Sequence, residues 1–209
     1  FVPVANMKAF RQRTREGDRN LNRNLGDKPI PQDYEDVIGN RLCALLRAHD
    51  VLLDIHSFKS EGEPFVFAGP NDNSGAIEPF RFARPEGEFA VRLGTSVVIH
   101  GWLDVYDRFV KERLKCGYET ASAEGIGTTE YMRFAGGYGV TLECGSHDDP
   151  QSIEVGYAAI LNALAHLGLV DAPAPAVSAA TAIQIVDVIL CNTEGDRLEG
   201  AWNTGDTIA

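Results

Sequence analysis

Apolar positions along this chain fall into short blocks separated by polar, glycine-bearing stretches, and the blocks alternate between two periods. Over residues 32–49, Val37, Ile38, Leu42, Leu45 and Leu46 share one face at helical spacing, with Asp33 placed as N-cap. Val51 to Ile55 is a nearly continuous apolar run, the pattern of a strand buried on both sides. A second strand is expected at 64–68, ahead of the turn sequence Gly69-Pro70-Asn71-Asp72-Asn73. A helix at 86–94, a strand at 96–100 and a helix at 103–115 follow; the last has Leu103, Tyr106, Phe109, Val110 and Leu114 on its apolar side. Residues 117–128 read as a loop over a cleft, 129–135 as a short helix, 139–144 as a strand and 151–168 as a strongly apolar helix. At the start, Phe1 to Val4 read as the end of a strand, and a polar, arginine-rich loop runs to about Pro31.

Helices alternating with short buried strands predict an α/β fold: a mixed, largely parallel sheet with helices on both faces, over residues 1–171. Residues 172–181 form a Pro/Ala linker. Beyond it, 182–191 reads as a strand and 192–206 as turn-rich β structure, so 182–209 is expected to begin a small C-terminal β domain. That piece is too short for a core of its own. It must pack on the main domain, form a homo-oligomer contact, or open a longer domain.

Charge narrows the partners. Thirty acids against 19 bases give a net charge of −11. Such a chain repels nucleic acid and anionic membranes. Against that background Arg11, Arg13, Arg15, Arg19 and Arg23 crowd the first 23 positions; a solvated basic loop is the plain reading of Arg11, Arg13 and Arg19. The four cysteines form no CxxC pair and sit in apolar or helical stretches, which points to free thiols and a cytoplasmic protein. The longest apolar stretch, Tyr157 to Val170, is broken by Asn162 and His166 and is too short to span a bilayer.

Three groups of residues carry candidate chemistry. His56 ends the strand at 51–55, and Asp54, two positions earlier, points to the same face, where a carboxylate can fix the tautomer of a ligating imidazole. An ordinary hydrogen-bonded histidine is the competing reading. Glu143 interrupts the apolar run Val140-Thr141-Leu142, where burial raises a carboxyl pKa toward the range of a general base; a structural salt bridge is its alternative. Arg15, Asn22 and Arg23 combine guanidinium forks with an amide, a set matched to a carboxylate ligand. Arg133 is a further cation near the cleft, or else a solvated helix residue.

In order and approximate spacing, Arg15, Asn20-Leu21-Asn22-Arg23, Asp54-Ile55-His56-Ser57, Arg133 and Leu142-Glu143-Cys144-Gly145 resemble the succinylglutamate desuccinylase/aspartoacylase family, a branch of the zinc carboxypeptidase-like hydrolases. The resemblance covers roughly residues 1–168, and it implies Zn2+ as cofactor with His56 as the third ligand. It also implies that Glu143 is the general base, that Arg15 stabilises the tetrahedral oxyanion, and that Asn22 and Arg23 bind the substrate carboxylate, with Arg133 as a second carboxylate-binding arginine. The implied activity is hydrolysis of the amide of an N-acyl amino acid or a similar small carboxylated amide. A peptide-cleaving metallocarboxypeptidase and a metal-free small-acid-binding protein are the alternatives.

Two departures stand out. The family's Asp-Leu-Asn-Arg is Asn20-Leu21-Asn22-Arg23 here. The family's first two zinc ligands, from a His-Gly-x-x-Glu-like motif upstream of the Asn-Arg segment, have no counterpart in the sequence. The chain opens on Phe1 without Met, so the ligands are expected upstream of Phe1; loss of the metal is the other explanation.

Overall fold

In a computed structural model of the chain, which describes residues 1–70, 80–115, 117 and 122–187, five strands form one sheet. They are β1 (Val51–Phe58), β2 (Phe65–Phe67), β3 (Val97–His100), β4 (Tyr138–Ser146) and β5 (Thr181–Gln184), in the order β1-β4-β2-β3-β5. β1 runs parallel to β4, β2 parallel to β3 and β3 parallel to β5, while β2 is antiparallel to β4. The mixed, largely parallel sheet is therefore present.

Alternation along β4 assigns the two faces. Val140, Leu142 and Cys144 point into a core closed by α3 (Ala83–Ala90) and α6 (Gln151–His166), through Phe89, Ala159 and Ala163 among others. Val66, Val140 and Leu142 have no exposed surface there, and burying each contributes about 1.5–3 kcal/mol. On the opposite face α2 (Tyr34–Arg47) and α5 (Thr128–Phe134) supply Cys43, Leu46 and Met132, packed with Leu25 and Leu52. Leu52 belongs to that second face, so Asp54 and His56 share it, as do Thr141 and Glu143 of β4.

The expected elements recur with shifted ends. Asp33 caps α2 as predicted, its Oδ1 accepting the Asp36 N–H at 2.7 Å. α3 begins at Ala83 rather than 86, because Pro85 is tolerated in the first turn of a helix. β1 continues to Phe58, with an irregularity between His56 and Phe58. It is not fully buried: it sits at one end of the strand order, and Ile55 is 40% exposed. The strand expected at Phe1–Val4 is absent; these residues are irregular and Phe1 is fully exposed. The expected arginine-rich loop instead contains a short helix, α1 (Met7–Gln12), whose first turn is capped by the Asn6 side chain. α4 (Trp102–Lys115) matches expectation to one residue. Within the predicted cleft loop a 3₁₀ turn forms at Ser122–Gly125.

The strand predicted from residue 182 begins at Thr181 and adds to β3. The Ser178 N–H already reaches the Val91 carbonyl at 2.8 Å. The turn positions 71–73 and all of 188–209 lie outside the described residues. Among the described residues no helix is long and apolar enough to cross a membrane.

Candidate active site

The parallel ladder between β1 and β4 places His56 directly opposite Glu143. His56 Nδ1 and Glu143 Oε1 stand 3.8 Å apart. The other ring nitrogen, Nε2, lies 3.0 Å from Asp54 Oδ2, and the Thr128 hydroxyl donates to that same oxygen. Burial alone lowers the His56 pKa, but the hydrogen bond and charge of Asp54, helped by Glu143, outweigh it and hold the imidazole above its ordinary value. Burial likewise pushes the Asp54 carboxyl up, and His56 and Thr128 bring it below the ordinary carboxylate range. Glu143 is different. Burial raises its pKa, and the positive charges of His56 and Arg15 only partly offset that. Its Oε2 is a buried oxygen with no hydrogen-bond partner, a costly state unless a ligand or ion satisfies it.

The loop carrying Arg15, Asn22 and Arg23 is held by the first turn of α2. Glu35, fully buried, accepts from the backbone N–H groups of Gly17, Asp18 and Arg19 and from Asn6 Nδ2. Arg19 is not the solvated cation expected. Its guanidinium bridges Asp33 at 2.8 Å and Asp36 at 2.6 Å and donates to the Arg23 carbonyl at 2.9 Å. Arg11 and Arg13 are exposed, as expected. Asn20 Oδ1 accepts the Asn22 N–H at 3.0 Å, a turn that an aspartate at this position would make equally well. Asn22 Oδ1 accepts the Thr128 N–H at 2.8 Å. The Arg23 guanidinium lies 5.1 Å from the Trp102 ring centre, in cation–π contact.

These side chains line a cavity of about 180 Å³ that includes Arg15, Asn22, Arg23, His56 and Glu143, with Phe67 and Trp102 as its aromatic wall. A larger, more open cavity of about 610 Å³ shares Arg15 and His56 and extends past Ser57, Cys144 and His147. Five of the six predicted residues thus converge. Arg133 does not join them. It is 5% exposed, bonded to Glu86 at 2.9 Å and to the Gly139 carbonyl at 3.0 Å, and stacked on Phe80. A guanidinium already neutralised inside the core has no fork to offer a substrate carboxylate. His147 pairs through Nδ1 with Ser57 Oγ at 2.7 Å. Thr128, Glu35 and Trp102 were missed. The only sequence signal for Thr128 was its place at the start of the short helix after Gly127.

A catalytic zinc requires three protein ligands and an open position. Among the described residues no group of three His, Cys, Asp or Glu side chains could hold a metal ion. His56 fits as one ligand: Asp54 engages its Nε2 and leaves Nδ1 on the side of Glu143. The described residues do not complete a zinc site by themselves.

No protein-family model matches the sequence, and no curated protein matches it. Solved structures do match. A succinylglutamate desuccinylase/aspartoacylase from Rhodobacter sphaeroides is similar with a TM-score of 0.64 at 17% identity, over 88% of this chain and 51% of that one. The product-bound ectoine utilization protein EutE (DoeB) from Ruegeria pomeroyi gives 0.62 at 17% identity, over 90% and 51%. The succinylglutamate desuccinylase from Chromobacterium violaceum gives 0.57 at 17%, over 91% and 59%. The chain spans about half the length of these neighbours. Over nearly all of its own length, this chain therefore carries the carboxypeptidase-like α/β fold of the succinylglutamate desuccinylase/aspartoacylase family.

Proposed function

We propose that this chain carries the substrate-binding and proton-transferring part of an amidohydrolase that cleaves an N-acyl amino acid or a similar small carboxylated amide. The observation that carries the reading is the buried, unpartnered Oε2 of Glu143 beside His56, in a cavity that also holds Arg15, Asn22 and Arg23. The fold shared with desuccinylases supports it.

In this reading Asn22 Nδ2 and the Arg23 guanidinium take the substrate carboxylate. Glu143, its pKa raised by burial, removes a proton from the attacking water and delivers it to the leaving nitrogen. One C–O bond forms, one C–N bond breaks, and a carboxylate and an amine leave. Arg15, shared by both cavities, faces the charge that develops on the carbonyl oxygen. Zinc belongs to the same proposal, with His56 as one ligand and the others from outside the described residues; when bound, zinc polarises a carbonyl and lowers the pKa of water. A reducing, cytoplasmic setting also belongs to it, resting on Cys43 and Cys144 as buried free thiols.

The test is turnover of N-acyl amino acids by the full-length protein with and without chelator, alongside elemental metal analysis. Glu143→Gln is expected to lower turnover about 10²–10⁴-fold while leaving substrate affinity near normal. Near-normal turnover in that variant rejects Glu143 as the base, and cleavage of peptides in preference to acyl amino acids rejects the deacylase assignment.

A further inference from the structure

Thr128 opens α5 and is bonded to both halves of the site. Its backbone N–H donates to Asn22 Oδ1 at 2.8 Å. Its hydroxyl donates to Asp54 Oδ2, the oxygen that also meets His56 Nε2 at 3.0 Å. Among the described residues no other is hydrogen-bonded to both Asn22 and Asp54.

Each bond has a chemical consequence. A carboxamide has a donor end and an acceptor end. With Oδ1 committed to the Thr128 N–H, Asn22 keeps Nδ2 for an acceptor such as a carboxylate. The Thr128 hydroxyl, in turn, limits rotation of the Asp54 carboxylate and keeps Oδ2 on the His56 ring. Thr128 is itself tightly placed. The Gly127 N–H donates to Glu130 Oε2 at 2.9 Å, and a Cβ at position 127 would lie 2.3 Å from Asn22 Oδ1. Glu130 contacts Arg133 at 3.5 Å, which ties the turn to the buried Arg133–Glu86 pair.

We propose that Thr128 is a positioning residue that sets, through one N–H and one hydroxyl, both the donor end of Asn22 and the grip of Asp54 on His56. Its effect on turnover rests on the hydrolase reading above; its effect on His56 does not. Thr128→Val removes the hydroxyl, keeps the N–H and keeps the branched shape; Thr128→Ser restores the hydroxyl. The primary readout needs no substrate: solvent exchange of the His56 ring N–H, followed by NMR in the full-length protein. Exchange is expected to quicken about tenfold in Thr128→Val and to stay near wild type in Thr128→Ser. On an N-acyl amino acid, Thr128→Val is expected to lower kcat about 10–100-fold with little change in KM. Gly127→Ala, which crowds Asn22, is expected to raise KM about tenfold and leave His56 exchange unchanged. Unchanged His56 exchange in a folded Thr128→Val protein overturns the proposal. Should the valine variant not fold, Thr128→Ala is read the same way. Absence of any deacylase activity in the wild type counts against the hydrolase reading alone, because the exchange measurement still decides the role of Thr128.

Discussion

Glu143 and Cys144 are neighbours on β4 that face opposite sides of the sheet, one toward the cavity and one toward the core. Burial acts on both in the same direction. It raises the Glu143 carboxyl, and it pushes the Cys144 thiol up to about 11, with the Glu143 charge adding to it. Cys43 is likewise raised, chiefly by burial. Because the thiolate is the reactive form, both are expected to resist iodoacetamide at pH 8 in the folded protein and to react once it is unfolded, as read by peptide mass mapping. His56 and Glu143 stand out in the sequence because a charged or polar side chain that breaks an apolar strand run needs a reason. Arg133 was misread because its partner Glu86 lies 47 positions away, and nothing local to either residue announces the pair. Replacing Arg133 by Leu leaves Glu86 charged and uncompensated in the core. A loss of about 3–5 kcal/mol in urea unfolding is expected, far beyond what removing a surface cation would produce.

At the scale of elements, the first turn of α2 holds the loop that carries Arg15, Asn22 and Arg23. The sequence marks Asp33 as its cap, as the structure has it, because capping is local. It did not reveal that Glu35 and Asp36 turn back to bind the preceding loop, since helix periodicity says nothing about which loop folds over a polar face. α1 was missed for a related reason: six residues are too few for a clear period. Asp36 tests the arrangement. The Gln32 N–H lowers its pKa, burial opposes this, and Arg19 lowers it further, leaving the carboxyl below its ordinary range in the folded state. A folded value below the unfolded one stabilises the protein above the unfolded pKa and is lost as pH falls through the folded value. Asp36→Asn is therefore expected to cost about 1–3 kcal/mol at pH 7, with the gap from wild type narrowing as pH drops below about 4. Urea melts at the two pH values measure it.

For the molecule as a whole, the α/β architecture was readable because buried strands and amphipathic helices leave distinct periods. The strand order was not, because pairing between distant segments leaves no local mark. β5 shows the difference. Residues 172–181 read as a Pro/Ala linker by composition, yet Ser178 and Thr181 within them bond to Val91 and Ser96, and Ile185 bonds to His100 at the end of β3. Truncation after Asp171 uncovers that edge, and a fall in Tm of about 5 °C or more is expected by calorimetry.

The facing positions of His56 and Glu143 on adjacent parallel strands also bear on how such a site can diversify. Their separation is inherited from the spacing of the backbone ladder, whereas Asn22 and Arg23 ride on the loop before α2, against the turn that opens α5. Insertions in those connections can alter which ligand is admitted while the imidazole and the acid keep their mutual placement. A slip of one residue in the ladder, by contrast, would turn one of the two groups to the far side of the sheet and leave no intermediate arrangement that works.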